Sequence, residues 1–350
     1  MTTTNTHRLR VLLALLAALL VLAGCGRKGG AGRARTLTLG AYTTPREAYG
    51  RAVLPAFRRH WRARTGEDVT IRESYQASGA QARAIVGGFE ADVAALSLEA
   101  DVEKIARAGL ITHDWKAGTH GGMVTRSVVA IAVRQGNPRG IRTWDDLRRP
   151  GLNVLTPDVR TSGGAMWNIA ALYGAALRGG TSAVRGDAAG AQALLADVLR
   201  NVSIMDRGAR EMMITFERGV GDAAVTYENE VLVGRQNGQT YEAVVPPATI
   251  LIENPIAVVD ANARRHNNLE LARAFVEFVR SPEAQRAFAE YGLRPVDDAV
   301  AREVSARYPT PAQQFTIRDL GGWPEVQRTL FDPGAAYDRA IAAAGNRRPQ

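Results

Sequence analysis

A single cysteine, Cys25, stands in 350 residues, and histidine is scarce too, with five. One thiol excludes an internal disulfide framework and every zinc pattern built on several cysteines. Aromatic residues make up 6% and are not interleaved with cations, which removes the stacking platform of a single-strand nucleic-acid binder. The apolar run Val11–Ala23 has 13 residues, short of the about 20 that a membrane-spanning helix requires. The chain has no internal repeat, no long low-complexity tract and no glycine-rich nucleotide loop. It does have a folded protein's balance, 46% hydrophobic and 23% charged, at a length that suits about two domains.

Positive charge is plentiful, with a net charge of +9 and a pI near 10.1. Residues 1–35 hold Arg8, Arg10, Arg27, Lys28, Arg33 and Arg35 and no acid, which leaves +3 for the rest. Arg347 and Arg348 take two more, so the body carries only +1. A basic face able to release counterions from nucleic acid is not expected.

Arg8 and Arg10, the apolar run and the small residues after it form the three parts of a secretory signal. Leu22-Ala23-Gly24-Cys25 resembles the bacterial lipoprotein lipobox. The resemblance implies cleavage before Cys25 and a diacylglyceryl thioether on it, the two acyl chains that stable anchoring needs. An ordinary signal peptide with an incidental cysteine is the alternative. Residues 1–24 are therefore expected to be a signal peptide and residues 25–35 a flexible, cationic tether beside the lipid. The protein is expected to be exported to the periplasm or cell surface.

From Thr36 onward short strands alternate with amphipathic helices. Strands are expected at Thr36–Tyr42, Val69–Ile71, Asp92–Leu96, Val128–Val133, Asn153–Leu155, Val202–Met205 and Ala223–Tyr227. Helices are expected around Leu54–Trp61, from Ser78, at Gly163–Leu177, Ala188–Leu199 and Met212–Arg218, and after the Ser281-Pro282-Glu283 start. This order argues for parallel sheets flanked by helices.

Three stretches place a small polar or glycine-rich turn between a strand end and a helix: Ser74–Gln81, Thr161–Asn168 and Asp206–Arg210. Ligands bind outside the carboxyl ends of strands in such sheets. The first N–H groups of a helix lack intrahelical partners and sit at its positive end, and glycine lets an anion approach them. Ser78 and Ser162 each add a hydroxyl. Taken singly, such a turn is an ordinary N-cap; three together suggest one anion held by several helix ends.

These turns, with Ser78–Asp101, Arg134–Asp158, Ile214–Glu230, Ser281–Gln285 and Phe315–Trp323, resemble the sulfate-binding protein family, receptors of sulfate ABC importers. The likeness runs in order through residues 36–345. It implies a two-lobed, hinge-linked α/β fold of the type II periplasmic-binding-protein class. Residues 36–125 and 240–345 would form lobe I and residues 126–239 lobe II. It also implies a dehydrated dianion held between the lobes by neutral donors, with no cation in contact and no cofactor or metal. Matched by motif, the ligand residues are Thr43, Ser78, Ser162, Gly163, Gly164, Ala209 and Tyr227. Two departures stand out. The loop Tyr42-Thr43-Thr44-Pro45-Arg46-Glu47 has its proline one place later than the family's, and Tyr227 replaces the tryptophan that the family often has before Glu-Asn-Glu. Tyr227 is either a hydroxyl donor to the ligand or a packed strand-end residue.

Hydrogen bonds to charged groups contribute about 1.5–3 kcal/mol each, so six or seven donors offset much of an anion's desolvation. Hydrogenphosphate carries an O–H that needs an acceptor, and none of the seven positions is Asp or Glu, so it should be rejected. Arg83 and Arg210 are expected outside direct ligand contact. The partners expected are sulfate or a related oxyanion, the membrane and a permease, for a monomeric receptor. Thiosulfate, or molybdate and tungstate, are the alternative ligands. A serine hydrolase using Ser162 is a remote alternative, because no G-x-S-x-G elbow is present. A metal site at His113, Asp114 and His120 lacks the spacing of a compact motif.

Overall fold

The computed structural model describes residues 35–182 and 184–345. Cys25, the expected signal segment and the tether to residue 34 lie outside the described residues. Among the described residues eleven strands join in one sheet: β1 (Arg35–Tyr42), β2 (Val69–Gln76), β3 (Val93–Ala95), β4 (Met123–Val133), β5 (Val154–Leu155), β6 (Val202–Ile204), β7 (Ala223–Tyr227), β8 (Glu242–Val244), β9 (Ala248–Val258), β10 (Arg294–Pro295) and β11 (Gln313–Phe315). The main path runs β2-β1-β3-β9-β4-β7-β5-β6. At each end three strands are parallel, β2-β1-β3 and β7-β5-β6, as the strand–helix alternation required. In the middle β9 and β4 join them by antiparallel pairing.

This pairing sets the two parallel groups in opposite directions, so their carboxyl ends face each other across the middle. Each long strand serves both groups. β9 pairs β4 over Leu251–Pro255 and then β3 from Ile256, while β4 pairs β7 from Val129. Pro255 has no N–H to give a ladder, and it sits where β9 changes partner, opposite the register shift between Met123 and Thr125. The β-branched run in β4 is buried on both faces, as a central strand's should be.

Helices cover the sheet: α1 (Leu54–Thr65), α2 (Ser78–Val86), α3 (Glu99–Arg107), α4 (Gly163–Leu177), α5 (Ala188–Arg200), α6 (Ala209–Glu217), α7 (Glu228–Gln236), α8 (Leu269–Phe278), α9 (Pro282–Glu290) and α10 (Ala336–Ala344). One apolar core gathers Leu37, Phe57, Trp61, Phe275 and Phe288. A larger one gathers Trp144, Trp167, Leu194 and Tyr227, together with Phe315, Trp323 and Tyr337 from the C-terminal segment. Trp323 packs edge-on against Trp167 at 4.7 Å between ring centres. The C-terminal segment thus shares the core of α4 and α5, not that of α1. α9 begins as its sequence required, with Ser281 Oγ accepting the Ala284 N–H at 3.3 Å. No helix among the described residues is long and apolar enough to cross a membrane.

Candidate functional site at the facing strand ends

Four helices start where the strands face each other. α2 follows β2, α4 follows the loop after β5, α6 follows β6 and α7 follows β7 directly. Each brings backbone N–H groups that its own helix cannot satisfy, at the positive end of its dipole. α6 begins at Ala209, three residues before the hydrophobic pattern suggested, and this puts Ala209 at its first position.

Ser162 is the N-cap of α4, and its Oγ accepts the Ala165 N–H at 3.3 Å. This bond uses a lone pair and keeps the hydroxyl proton for another acceptor. Gly163 and Gly164 follow, with no room for a side chain at Gly163 and little at Gly164. A Cβ on Gly163 would stand 2.8 Å from Ser97 Oγ and 2.9 Å from Leu98 Cγ. One on Gly164 would stand 3.3 Å from Ala209 Cβ and 3.6 Å from the Tyr227 ring. The starts of α4 and α6 and the end of β7 are therefore in contact. On the other face, a Cβ on Gly79 would lie 3.1 Å from the Thr161 carbonyl, so the start of α2 closes against the turn before α4.

Ser78 joins this cluster, but its hydroxyl is already committed. It donates to Asp101 Oδ2 at 2.7 Å and accepts the Ser97 N–H at 3.0 Å. Asp101 is held in turn by Lys104 at 2.8 Å. What the α2 start can offer a ligand is its backbone N–H groups. Tyr227 is fully buried, and its hydroxyl lies 2.7 Å from Ser97 Oγ. Burial pushes the phenol well above its ordinary pKa, with Ser97 and Asn254 pulling more weakly the other way. It is a neutral hydroxyl at any physiological pH.

Ser97 is the residue that the sequence reading missed. Its N–H meets Ser78, its Oγ meets Tyr227, and its carbonyl accepts from Trp167 Nε1 at 2.9 Å and Asn254 Nδ2 at 3.2 Å. It lies in the Leu96-Ser97-Leu98 connection between β3 and α3, which has the strand–turn–helix form of the other three turns but not the glycine that marks them.

Thr43 lies in the loop between β1 and α1. With Thr44 it lines a neighbouring cleft of about 540 Å³ together with Glu47, Arg210 and Glu230. Its carbonyl accepts the Arg46 N–H at 3.2 Å. Arg210, next to Ala209, is spent on Glu230 at 3.2 Å, Glu47 at 3.5 Å and Glu217 at 3.7 Å. Burial opposes its charge, yet these carboxylates outweigh that and hold its pKa above the ordinary value. Burial pushes the Glu230 carboxyl up, with Arg210 and Thr44 pulling it down. Arg83 donates to the Arg160 carbonyl at 3.3 Å. Ser162 Oγ meets an amide, and His113 and His266 are paired with Asp260 and Asp92.

Such an arrangement gathers neutral donors from neighbouring helix starts, a setting that suits an oxyanion. Comparison with known proteins agrees with it. Residues 37–294 match the model of the bacterial extracellular solute-binding proteins. The chain is 37% identical over 338 residues to the sulfate-binding protein of Synechococcus elongatus, covering 95% of each chain. It is 33% identical over 341 residues to the thiosulfate-binding protein of Escherichia coli, covering 95% of this chain and 97% of that one. The solved structure of the sulfate-binding protein SubI from Mycobacterium tuberculosis H37Rv matches with a TM-score of 0.79 and 38% identity, over 85% of this chain and all of that one. The chain belongs to the bacterial extracellular solute-binding proteins and, among them, to the sulfate-binding protein family.

Proposed function

We propose that this protein binds sulfate between two lobes and delivers it to the permease of an ABC importer, as a receptor and not as an enzyme. The observation that carries the reading is the meeting of the α2, α4, α6 and α7 starts around Ser162, Gly163, Gly164, Ala209 and Tyr227, with Arg210 engaged by carboxylates. In this site the donors are the backbone N–H groups at Ser78, Gly163, Gly164 and Ala209, the Ser162 hydroxyl and a hydroxyl at Tyr227, with Thr43 closing the neighbouring side. The relatives bind sulfate or thiosulfate by name, and the donor set suits either dianion. A longer S–S bond would reach toward Tyr227, which makes thiosulfate the second ligand to test; molybdate and tungstate are further ones.

The lobes are proposed to meet at β4 and β9, with the hinge near the Met123–Thr125 shift and Pro255. Core packing supports placing residues 313–345 with the second lobe. The anion, touching both lobes, stabilises the closed form by its differential affinity. Upstream, the lipobox supports export, cleavage before Cys25 and a lipid anchor, which keeps the receptor at the membrane where the permease works.

The test is calorimetric titration with sulfate, thiosulfate, molybdate and hydrogenphosphate, read beside the melting temperature. Sulfate is expected to bind and raise the melting temperature, while hydrogenphosphate leaves it unchanged. A chain that ignores sulfate and binds another of the four is not a sulfate receptor.

A further inference from the structure

The hydroxyls of Ser97 and Tyr227 stand 2.7 Å apart, both fully buried, at the start of α4. Ser97 Oγ faces Gly163, and the Tyr227 ring faces Gly164. Ser97 follows β3 and Tyr227 ends β7, so the bond joins the two parallel groups of the sheet.

We infer that Ser97 and Tyr227 act as one donor unit, in which either hydroxyl can present the single spare proton to the bound oxyanion. The reasoning is a count of protons. Two hydroxyls carry two protons, and their mutual bond consumes one. If Tyr227 donates to Ser97, the Ser97 proton is spare; if Ser97 donates to Tyr227, the phenol proton is spare. The neighbouring Ser78 cannot stand in, because its proton goes to Asp101. Ser97 is thus the side-chain donor on the β3 face, a specificity-determining residue outside the seven matched by motif. The inference rests on the sulfate reading above.

Removing either hydroxyl leaves one hydroxyl whose proton is no longer shared, and removing both leaves none. Ser97→Ala and Tyr227→Phe are each expected to lower affinity by less than about tenfold. The double variant is expected to lose at least tenfold more than the product of the single losses. Binding is measured by calorimetry for wild type and the three variants, with whichever of sulfate, thiosulfate and molybdate the wild type binds. Unchanged melting temperatures without ligand show that the variants fold. Multiplicative losses, or a Tyr227→Phe loss as large as the double variant's, overturn the shared-proton unit while leaving the receptor reading intact. A wild type that binds none of the three overturns both.

Discussion

Two serines that look alike in the sequence have opposite duties. Ser78 and Ser162 each open a helix after a strand, and each is buried. Ser162 accepts from its own helix and so keeps its proton for a ligand. Ser78 gives its proton to Asp101, a carboxylate only 1% exposed that has Lys104 as its other partner. Ser162→Ala removes a donor to a charged acceptor and is expected to weaken sulfate binding by about 1–3 kcal/mol with little change in stability. Ser78→Ala removes one of two partners of a buried carboxylate and leaves the Ser97 N–H without its acceptor. Its expected cost is about 1–3 kcal/mol of folding stability, with a smaller loss of affinity because the backbone N–H remains. Urea unfolding and calorimetry of the two variants separate these outcomes. Equal effects on binding would show that Ser78 also donates through its side chain.

At the scale of elements, the start of α4 is a tight junction. It needs glycine for close approach rather than for unusual backbone angles. Gly163→Ala places a methyl group within 3.0 Å of three atoms of Ser97 and Leu98, and neither neighbour is the free end of a flexible chain. The helix start must move, and donors that work only at about 2.7–3.2 Å are then displaced. An affinity loss of more than tenfold is expected by calorimetry, with the fold retained by circular dichroism; retained affinity would take the Gly163 N–H out of the donor set. The sequence carried much of this level. Gly163–Leu177 and Ala223–Tyr227 were legible to the residue, because an uninterrupted apolar helix and a five-residue buried strand each have a plain pattern. β9 was not read, because Glu253-Asn254-Pro255 breaks its apolar run at the point where it changes partner. Ser97 was missed for a related reason: a serine between two leucines gives no glycine or cap signal, and its hydroxyl matters only through Tyr227, 130 residues away.

Over the whole molecule the question is what holds the two parallel groups together. An ion pair and a hydrogen bond do so at Glu47, which follows β1 and receives Arg210 at 3.5 Å and the Asn237 amide at 3.0 Å from the far side. Both charged side chains are about a quarter exposed, and such pairs contribute about 0.2–1 kcal/mol. Arg210 keeps Glu230 and Glu217 when Glu47 is neutralised, so no charge is stranded. Glu47→Gln is therefore expected to weaken sulfate binding by no more than about fivefold, the equilibrium factor that corresponds to 1 kcal/mol. The donors at the helix starts carry several times that energy between them. Small-angle scattering of the variant should accordingly show the same contraction on saturating sulfate as the wild type. If Glu47→Gln instead abolished the contraction while sulfate still bound, closure would belong to the ion pair and not to the anion. On the present reading the anion closes the lobes, and Glu47 and Arg210 only make the closed form easier to keep.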